Sequence, residues 1–188
     1  MKFCSSCGQS VEFLIPSGDT YHRYVCSACG VVHYQNPNNV VGCIPEASDG
    51  RILLCKRAIE PRKGYWTIPA GFMENKETLA EGAKRETREE AEAEVKLLGL
   101  QSIIDVPFAS QVHIMFRGEL IDDKFGNGIE SLETHLVAED NIPWDEIAFP
   151  TVAFALKTFF ADRARGEYTV HDAVIQRNRW DVKQPLPF

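Results

Sequence analysis

The segment GFMENKETLAEGAKRETREEAEAEV, from Gly71 to Val95, contains eight glutamates. Its pattern predicts a helix from about Thr78 to Ala91, with Thr78 near the N-cap. Three of these acids have a cation at helical spacing: Glu81 with Arg85, Glu89 with Arg85, and Glu92 with Arg88. Glu86 and Glu90 lie one turn apart and have no Lys or Arg three or four residues away. Like charges at this spacing destabilise a helix, so the pair indicates a role beyond surface solvation.

A helical wheel places small and apolar residues on the core side of this helix: Leu79, Ala80, Ala83, Thr87 and Ala91. Glu86 and Glu90 fall at the edge of that stripe, with Glu89 a little further round. Hard divalent cations prefer oxygen ligands, and a cation would remove the repulsion between these carboxylates. The helix therefore predicts a Mg²⁺ (or Mn²⁺) site. A merely solvated acidic helix is the alternative.

Four of the six cysteines form two Cys-x2-Cys pairs near the N-terminus, at Cys4, Cys7, Cys26 and Cys29. Each second cysteine is followed by glycine, which permits the tight turn of a zinc knuckle. The spacing predicts a closed four-thiolate site holding a structural Zn²⁺. Two disulfides are the alternative. Cys43 and Cys55 lie alone inside strand patterns and are predicted to be packed apolar residues.

The chain divides into three predicted parts: residues 1–35, 36–165 and a C-terminal tail, 166–188. The middle part alternates strand and helix patterns, which indicates an α/β (or α+β) class with a mixed sheet. NVVGCIPEA and RILLCKRA read as a hairpin, YWTIPAG as a strand ending at the Gly71 loop, and QVHIMFRGELI and LETHLVA as later strands. FPTVAFALKTFFADRARG reads as an amphipathic helix stopped by Gly166. We expect the tail to be extended, with little core of its own.

Composition excludes several classes of protein. The formal net charge is −7, which argues against a broad nucleic-acid-binding surface. No apolar run approaches the length of a membrane span, and no targeting segment is visible. We therefore expect a cytoplasmic protein with no membrane partner. Monomer and homodimer both stay open.

The acidic segment also resembles the Nudix box, Gly-x5-Glu-x7-Arg-Glu-U-x-Glu-Glu-x-Gly-U, where U is aliphatic. The matching residues are Gly71, Glu77, Arg85, Glu86, Glu89 and Glu90. Thr87 replaces the first aliphatic residue, and Glu92 replaces the final glycine that normally ends the helix. With its preceding cysteine module, the chain resembles the zinc-ribbon branch of the Nudix superfamily. This resemblance implies an α/β/α sandwich after a small zinc ribbon.

The resemblance implies hydrolysis of the diphosphate linkage in a small-molecule nucleotide. That branch includes NADH pyrophosphatases and FAD or ADP-ribose diphosphatases. The NADH-pyrophosphatase signature would fall at IIDVPFAS, where only Pro107, Phe108 and Ser110 match. FAD or ADP-ribose is therefore the expected substrate, with NADH-type substrates or NAD-capped RNA as the alternative. A ligand-sensing regulator without catalysis is the alternative of another class, and the ribbon could instead be a docking module.

The resemblance also assigns roles to residues. Glu86, Glu89 and Glu90 would hold the catalytic metal, and Arg85 would orient a box carboxylate, with Glu77 as its partner. Gly71 would let the backbone approach the phosphates through a positive φ. A general base would come from outside the box, with Glu130 ahead of Glu133. Candidates for stacking on the base are Phe72, Tyr65, Trp66 and Phe108, whereas His113 reads as a strand residue facing the cleft or a neighbour.

Overall fold

The structure is a computed structural model that describes residues 1–176 and 179–181. Contacts divide the chain into two compact units, Met1–Pro37 and Asn38–Phe188. Across the described residues, no helix has the length and apolar character required to cross a membrane.

The first unit is a three-stranded antiparallel sheet of β1 (Val11–Leu14), β2 (Arg23–Cys26) and β3 (Val32–His33). Its only buried hydrophobic side chains are those of Cys4 and Cys26. A unit of this size without an apolar core needs another source of folding free energy, and bound metal is the usual one.

The second unit is built on one mixed sheet. Its strands are β4 (Asn38–Glu46), β5 (Ile52–Arg57), β6 (Trp66–Thr67), β7 (Ala70–Phe72), β8 (Val95–Val106), β9 (Gln111–Leu120), β10 (Ser131–Val137), β11 (His171–Gln176) and β12 (Arg179–Asp181). Neighbouring strands follow the order β10-β5-β4-β9-β8-β11-β12, while β6 pairs with β5 and β7 pairs with β4. The pairs β4–β9 and β8–β11 are parallel, and the others are antiparallel. The helices are α1 (Leu79–Ala91) and α2 (Pro150–Arg165).

The two helices cover opposite faces of this sheet. Cys43 and Leu53 face α1 and pack with Ala91, as expected for buried cysteines in strands. Ile44 and Leu54 face the other way and pack with Leu156 of α2, together with Met115 and Phe159. The predicted three-layer α/β/α arrangement is therefore confirmed.

The first turn of helix α1 has the cap that its sequence predicts, whereas its last turn ends in an unusual way. Thr78 caps the first turn, where its hydroxyl accepts from the Glu81 N–H and Glu81 accepts in return from the Thr78 N–H. The helix ends at Glu92, which takes the left-handed conformation at φ 49°. Glutamate thus occupies a backbone position that favours glycine.

Two strand predictions need correction. YWTIPAG forms two short strands, β6 and β7, because Pro69 has no N–H to continue a ladder. Gly71 therefore lies within β7, opposite Val41 of β4, and not in a loop. The second correction is β8, a strand of 12 residues that the sequence pattern did not reveal.

The expected tail with little core is wrong for residues 171–176. Strand β11 pairs in parallel with β8, and its Ala173 and Ile175 are buried against Ile104 and Phe154. Helix α2 does end at Gly166, but it buries apolar groups around much of its circumference and is less amphipathic than expected. Residues 177–178 and 182–188 of the predicted tail lie outside the described residues.

Candidate functional site

The four predicted zinc ligands converge on one point. The Sγ atoms of Cys4 and Cys29 lie 3.7 Å apart, those of Cys7 and Cys26 lie 3.5 Å apart, and all four lie within 4.8 Å of one another. A tetrahedral zinc site with Zn–S bonds of about 2.3 Å requires sulfur atoms about 3.8 Å apart. The four thiols therefore fit Zn²⁺.

The backbone around these cysteines has the form of two knuckles. Gly8 and Gly30 have φ values of 74° and 75°, and their N–H groups donate to the carbonyls of Cys4 and Cys26. His33 Nε2 lies 3.3 Å from Cys4 Sγ, where it can donate to the thiolate. Both glycines thus serve the turn that the sequence indicated.

In the second unit, Glu86 and Glu90 lie on the face of α1 that packs on the sheet, with only 9% and 6% of their surface exposed. Glu89 lies one step further round the helix, with 58% of its side chain exposed. The Glu86 carboxylate rests on the Cα of Gly71, where an added Cβ would lie 2.4 Å from it. Position 71 therefore requires glycine because the Glu86 carboxylate fills the space of a side chain. The predicted positive φ is wrong, since Gly71 is not among the glycines with positive φ.

Arg85 uses all five of its N–H donors within the protein. Its Nε and Nη2 donate to the two oxygens of Glu77 at 3.0 and 2.8 Å, and Nη2 also donates to the carbonyl of Phe72 at 3.0 Å. Its Nη1 donates to Glu86 at 2.7 Å and to Glu89 at 2.9 Å. The sequence rule counted only cations three or four residues away, so the inference that Glu86 has no cationic partner is wrong: the preceding residue supplies it.

A second pairing also differs from expectation. Arg88 donates to Glu94 at 2.6 and 2.9 Å and not to Glu92. Because Glu92 is the left-handed cap of α1, the chain leaves the helix there and Glu92 does not follow helical spacing.

Each of the three carboxylates is held through one oxygen. Arg85 holds Glu86 Oε1 and Glu89 Oε2, and the Ala70 N–H donates to Glu90 Oε2 at 3.3 Å. The remaining oxygens, Glu86 Oε2, Glu89 Oε1 and Glu90 Oε1, accept no hydrogen bond from any residue that the structure describes. The donor chemistry of these three acids therefore suits a hard divalent cation, whereas the four cysteines form the one group of metal-ligating side chains that converges among the described residues.

The electrostatics of these groups favour a cation. Burial, reinforced by the neighbouring charge of Glu86, raises the pKa of Glu90 to about 8. Burial also raises the pKa of Glu86. Hydrogen bonds from Arg85 instead lower the pKa of Glu77 to about 2. Glu77 is thus a fixed anion, whereas Glu90 becomes an anion at neutral pH only beside additional positive charge.

The two candidate bases have different surroundings. After burial, the charge of Glu130 contributes to the raised pKa of both Glu86 and Glu90, so it lies within electrostatic range of both. Glu133 accepts from Lys56 Nζ at 3.0 Å, and its other oxygen lies 3.6 Å from His135 Nε2. Glu133 is therefore committed to another pairing. Glu130 lies two residues after Gly128, whose N–H donates to the carbonyl of Glu90.

The aromatic candidates separate in the same way. Phe72 and Phe108 are each 53% exposed, whereas Trp66 is buried in the core beneath α2. Tyr65 lies beside the Arg62 guanidinium, 5.1 Å from its carbon to the ring centre. His113 is half-buried in β9 and contacts Gln111 at 3.0 Å through Nε2. Trp66 is thus a core residue, and Phe72 and Phe108 stay available to a ligand.

Sequence reasoning missed the backbone groups of this site. The Ala70 N–H that holds Glu90 and the Phe72 carbonyl that holds Arg85 both belong to β7. Gly126 and Gly128, in the loop before β10, contact the end of α1. The sequence Gly126-Asn127-Gly128 indicates a tight loop, but it does not indicate that this loop contacts α1.

Two protein families match this chain, one over each of its two parts. The NUDIX domain family matches residues 36–161, and the family described as Nudix N-terminal matches residues 2–35. The chain therefore belongs to the Nudix family, and a zinc-ribbon module precedes its NUDIX domain.

Three known proteins show how similar this chain is to other members of the family. A solved Nudix hydrolase from Nitrosomonas europaea is 51% identical, with a TM-score of 0.89 over 93% of this chain and 99% of that one. The NAD-capped RNA hydrolase NudC of Escherichia coli O1:K1 is 32% identical over 76% of this chain. This chain spans 53% of that relative's length. The ADP-ribose pyrophosphatase of Methanocaldococcus jannaschii is 34% identical over 58% of this chain and 67% of its own length.

Proposed function

We propose that the protein hydrolyses the diphosphate linkage of FAD or ADP-ribose with Mg²⁺ as the catalytic ion. The observation that carries this is the set of three carboxylates in α1, each held through one oxygen and offering the other. A divalent ion held there would neutralise diphosphate oxygens and lower the pKa of a bound water.

The protein's own residues supply the remaining roles in this proposal. Glu130 takes the proton of the attacking water, since it is the base candidate within range of the carboxylates. Arg85 is a positioning residue, because all its donors hold protein groups. The Phe72 ring is exposed while its carbonyl is fixed by Arg85, so it can stack on a nucleobase or flavin.

Relatives support ADP-ribose most directly, through the pyrophosphatase of M. jannaschii. FAD shares the ADP and diphosphate portion of that molecule. The similarity to NAD-capped RNA hydrolases supports a second candidate, NADH-type substrates or NAD-capped RNA. The first half of the NADH-pyrophosphatase signature is absent from the segment that precedes Pro107 and Phe108, so we place this candidate second.

A substrate panel tests the proposal. Initial rates with FAD, ADP-ribose, NADH, Ap4A and NAD-capped RNA are measured with Mg²⁺ or Mn²⁺, with Glu90→Gln as the inactive control. We expect the highest kcat/KM for FAD or ADP-ribose. A tenfold preference for NADH, about 1.4 kcal/mol in transition-state binding, would reverse the order. Tight binding of ADP-ribose without turnover would instead support a ligand-sensing regulator.

We further propose that the chain is cytoplasmic and that its zinc module is structural. Cell fractionation and light scattering after size exclusion test the location and decide between monomer and homodimer. Partner capture with Cys4→Ser would show whether the zinc module also serves as a docking surface.

A further inference from the structure

The loop Lys124–Glu130 docks on the C-terminal end of α1. The Gly126 N–H donates to the carbonyl of Ala91 at 2.7 Å, and the Gly128 N–H donates to the carbonyl of Glu90 at 3.1 Å. The last carbonyls of a helix have no partner within the helix. The loop therefore completes the hydrogen bonding of the turn that carries Glu89 and Glu90.

Gly128 makes this contact possible because it lacks a side chain. A Cβ at this buried position would lie 1.8 Å from the carbonyl oxygen of Glu89, which is rigid helix backbone. A Cβ at Gly126 would meet mainly the end of the Glu92 side chain, at 2.3 Å from its Oε2. That carboxylate can rotate away, whereas the Glu89 carbonyl cannot.

The other end of the loop is fixed to the sheet. The Ser131 N–H donates to the Gly128 carbonyl at 3.0 Å, and the Ala58 N–H donates to the Glu130 carbonyl at 2.8 Å. The Thr134 hydroxyl lies 2.8 Å from the Gly126 carbonyl, which it can donate to. Glu130 thus lies two residues from an anchor on α1, and its own carbonyl is anchored at Ala58, the residue after β5.

We infer that Gly128 is a positioning residue that sets the distance between Glu130 and the carboxylates of α1. This inference rests on the proposed function, in which Glu130 is the general base. Adding a methyl group at Gly128 displaces the loop from α1 and moves Glu130 with it. Glu86 and Glu90 keep their contacts with Arg85 and Ala70, since neither of these residues belongs to the loop.

The test compares Gly128→Ala with Gly126→Ala, a matched change in the same loop. We expect Gly128→Ala to lower kcat at least tenfold, while KM and the Kd for Mn²⁺ stay within threefold of wild type. Gly126→Ala should change kcat less than threefold. In the double variant with Glu130→Gln, Gly128→Ala should cause no further loss. Additive losses, or equal effects of the two alanines, would overturn the inference.

Two measurements keep the outcome decisive. Hydrogen exchange of residues 124–130 should be slow in wild type and faster in Gly128→Ala, whether or not any substrate is hydrolysed. If wild type is inactive, the proposed function fails while exchange still decides the docking of the loop; unchanged exchange in Gly128→Ala refutes the docking. If Gly128→Ala does not fold, Thr134→Val loosens the loop without a clash, and it must lower kcat without changing Mn²⁺ affinity for the inference to stand.

Discussion

Arg85 and Glu77 form a two-point ion pair, in which Nε and Nη2 of the guanidinium lie 3.0 and 2.8 Å from the two carboxylate oxygens. The pair fixes the guanidinium plane, and the remaining donors of Arg85 then hold Glu86, Glu89 and the Phe72 carbonyl. One residue outside the predicted ligand set thus orients two of its three members and one strand of the sheet.

Arg85→Lys should therefore damage the site although it keeps the charge. Lysine cannot reproduce the planar two-point contact, so we expect a loss of about 10- to 100-fold in kcat/KM and in Mn²⁺ affinity. The fold should lose about 1–2 kcal/mol. Arg88→Lys, on the same helix and paired with exposed Glu94, is the control and should change neither. Wild-type metal affinity in Arg85→Lys would contradict the positioning role.

Glu90→Gln separates a metal ligand from a structural acid. Glutamine keeps the acceptor for the Ala70 N–H but cannot ionise to bind a cation. We expect turnover to fall at least about a hundredfold, while stability without Mg²⁺ is unchanged or higher. Both are measured on one preparation, by initial rates and thermal unfolding. A loss of stability with turnover retained would mean that Glu90 is structural.

The raised pKa of Glu90 predicts that the stability of the folded protein depends on pH. The pKa of Glu90 is about 8 in the folded protein and 4.5 ordinarily, so between these values the unfolded chain has lost a proton that the folded chain keeps. Wild-type stability without Mg²⁺ should therefore fall as pH rises from 5 to 8, by at most about 1.4 kcal/mol per pH unit from this group. The advantage of Glu90→Gln over wild type should grow across that range. A constant difference between the two would contradict the raised pKa.

Glu92→Gly should stabilise the protein. Glu92 holds φ 49° at the end of α1, and a left-handed conformation costs a non-glycine residue about 1 kcal/mol. We expect a rise in Tm of about 2–4 °C, with kcat unchanged. Glu92→Ala keeps the strained backbone and is the control; an equal gain in both variants would assign the effect to the lost charge.

Zinc removal should unfold the first unit selectively. Protein purified without added metal should contain about one zinc per chain. Cys26→Ser should abolish binding and expose the amides of residues 1–37 to rapid hydrogen exchange, because that unit buries no hydrophobic side chain besides two cysteines. Exchange of α1 and α2 should stay slow. Oxidised cysteine pairs in place of zinc would refute the metal site.

Local sequence determined much of this structure. Thr78 predicted the start of α1, and the cysteine spacing predicted the four converging thiols. The predicted pairings of Arg85 with Glu77 and with Glu89 are also present. Strand β8 escaped detection because register shifts between Leu97 and Gly99 and between Leu100 and Ser102 break its alternation of polar and apolar residues. Strand β11 escaped because only its distant partner β8 makes it a strand.

The site was less predictable where backbone groups or space decide the contact. Nothing in the segment itself shows that Gly71 is needed to admit the Glu86 carboxylate, or that Ala70 donates to Glu90. The preference for Glu130 over Glu133 came from the family resemblance, whereas the pairing of β10 with β5, which brings Glu133 to Lys56, was not visible in the sequence.

Because every N–H donor of Arg85 bonds to a protein group, this residue has no donor left for the phosphates of a substrate. Arg85 therefore cannot neutralise the phosphates of a bound nucleotide, and a divalent ion that arrives with the nucleotide would supply positive charge beside the carboxylates of α1. We expect the metal–nucleotide complex to be the species that is captured. When total nucleotide is held constant, initial rates should follow the concentration of that complex. The concentration of divalent ions in the cell would then determine the rate of hydrolysis.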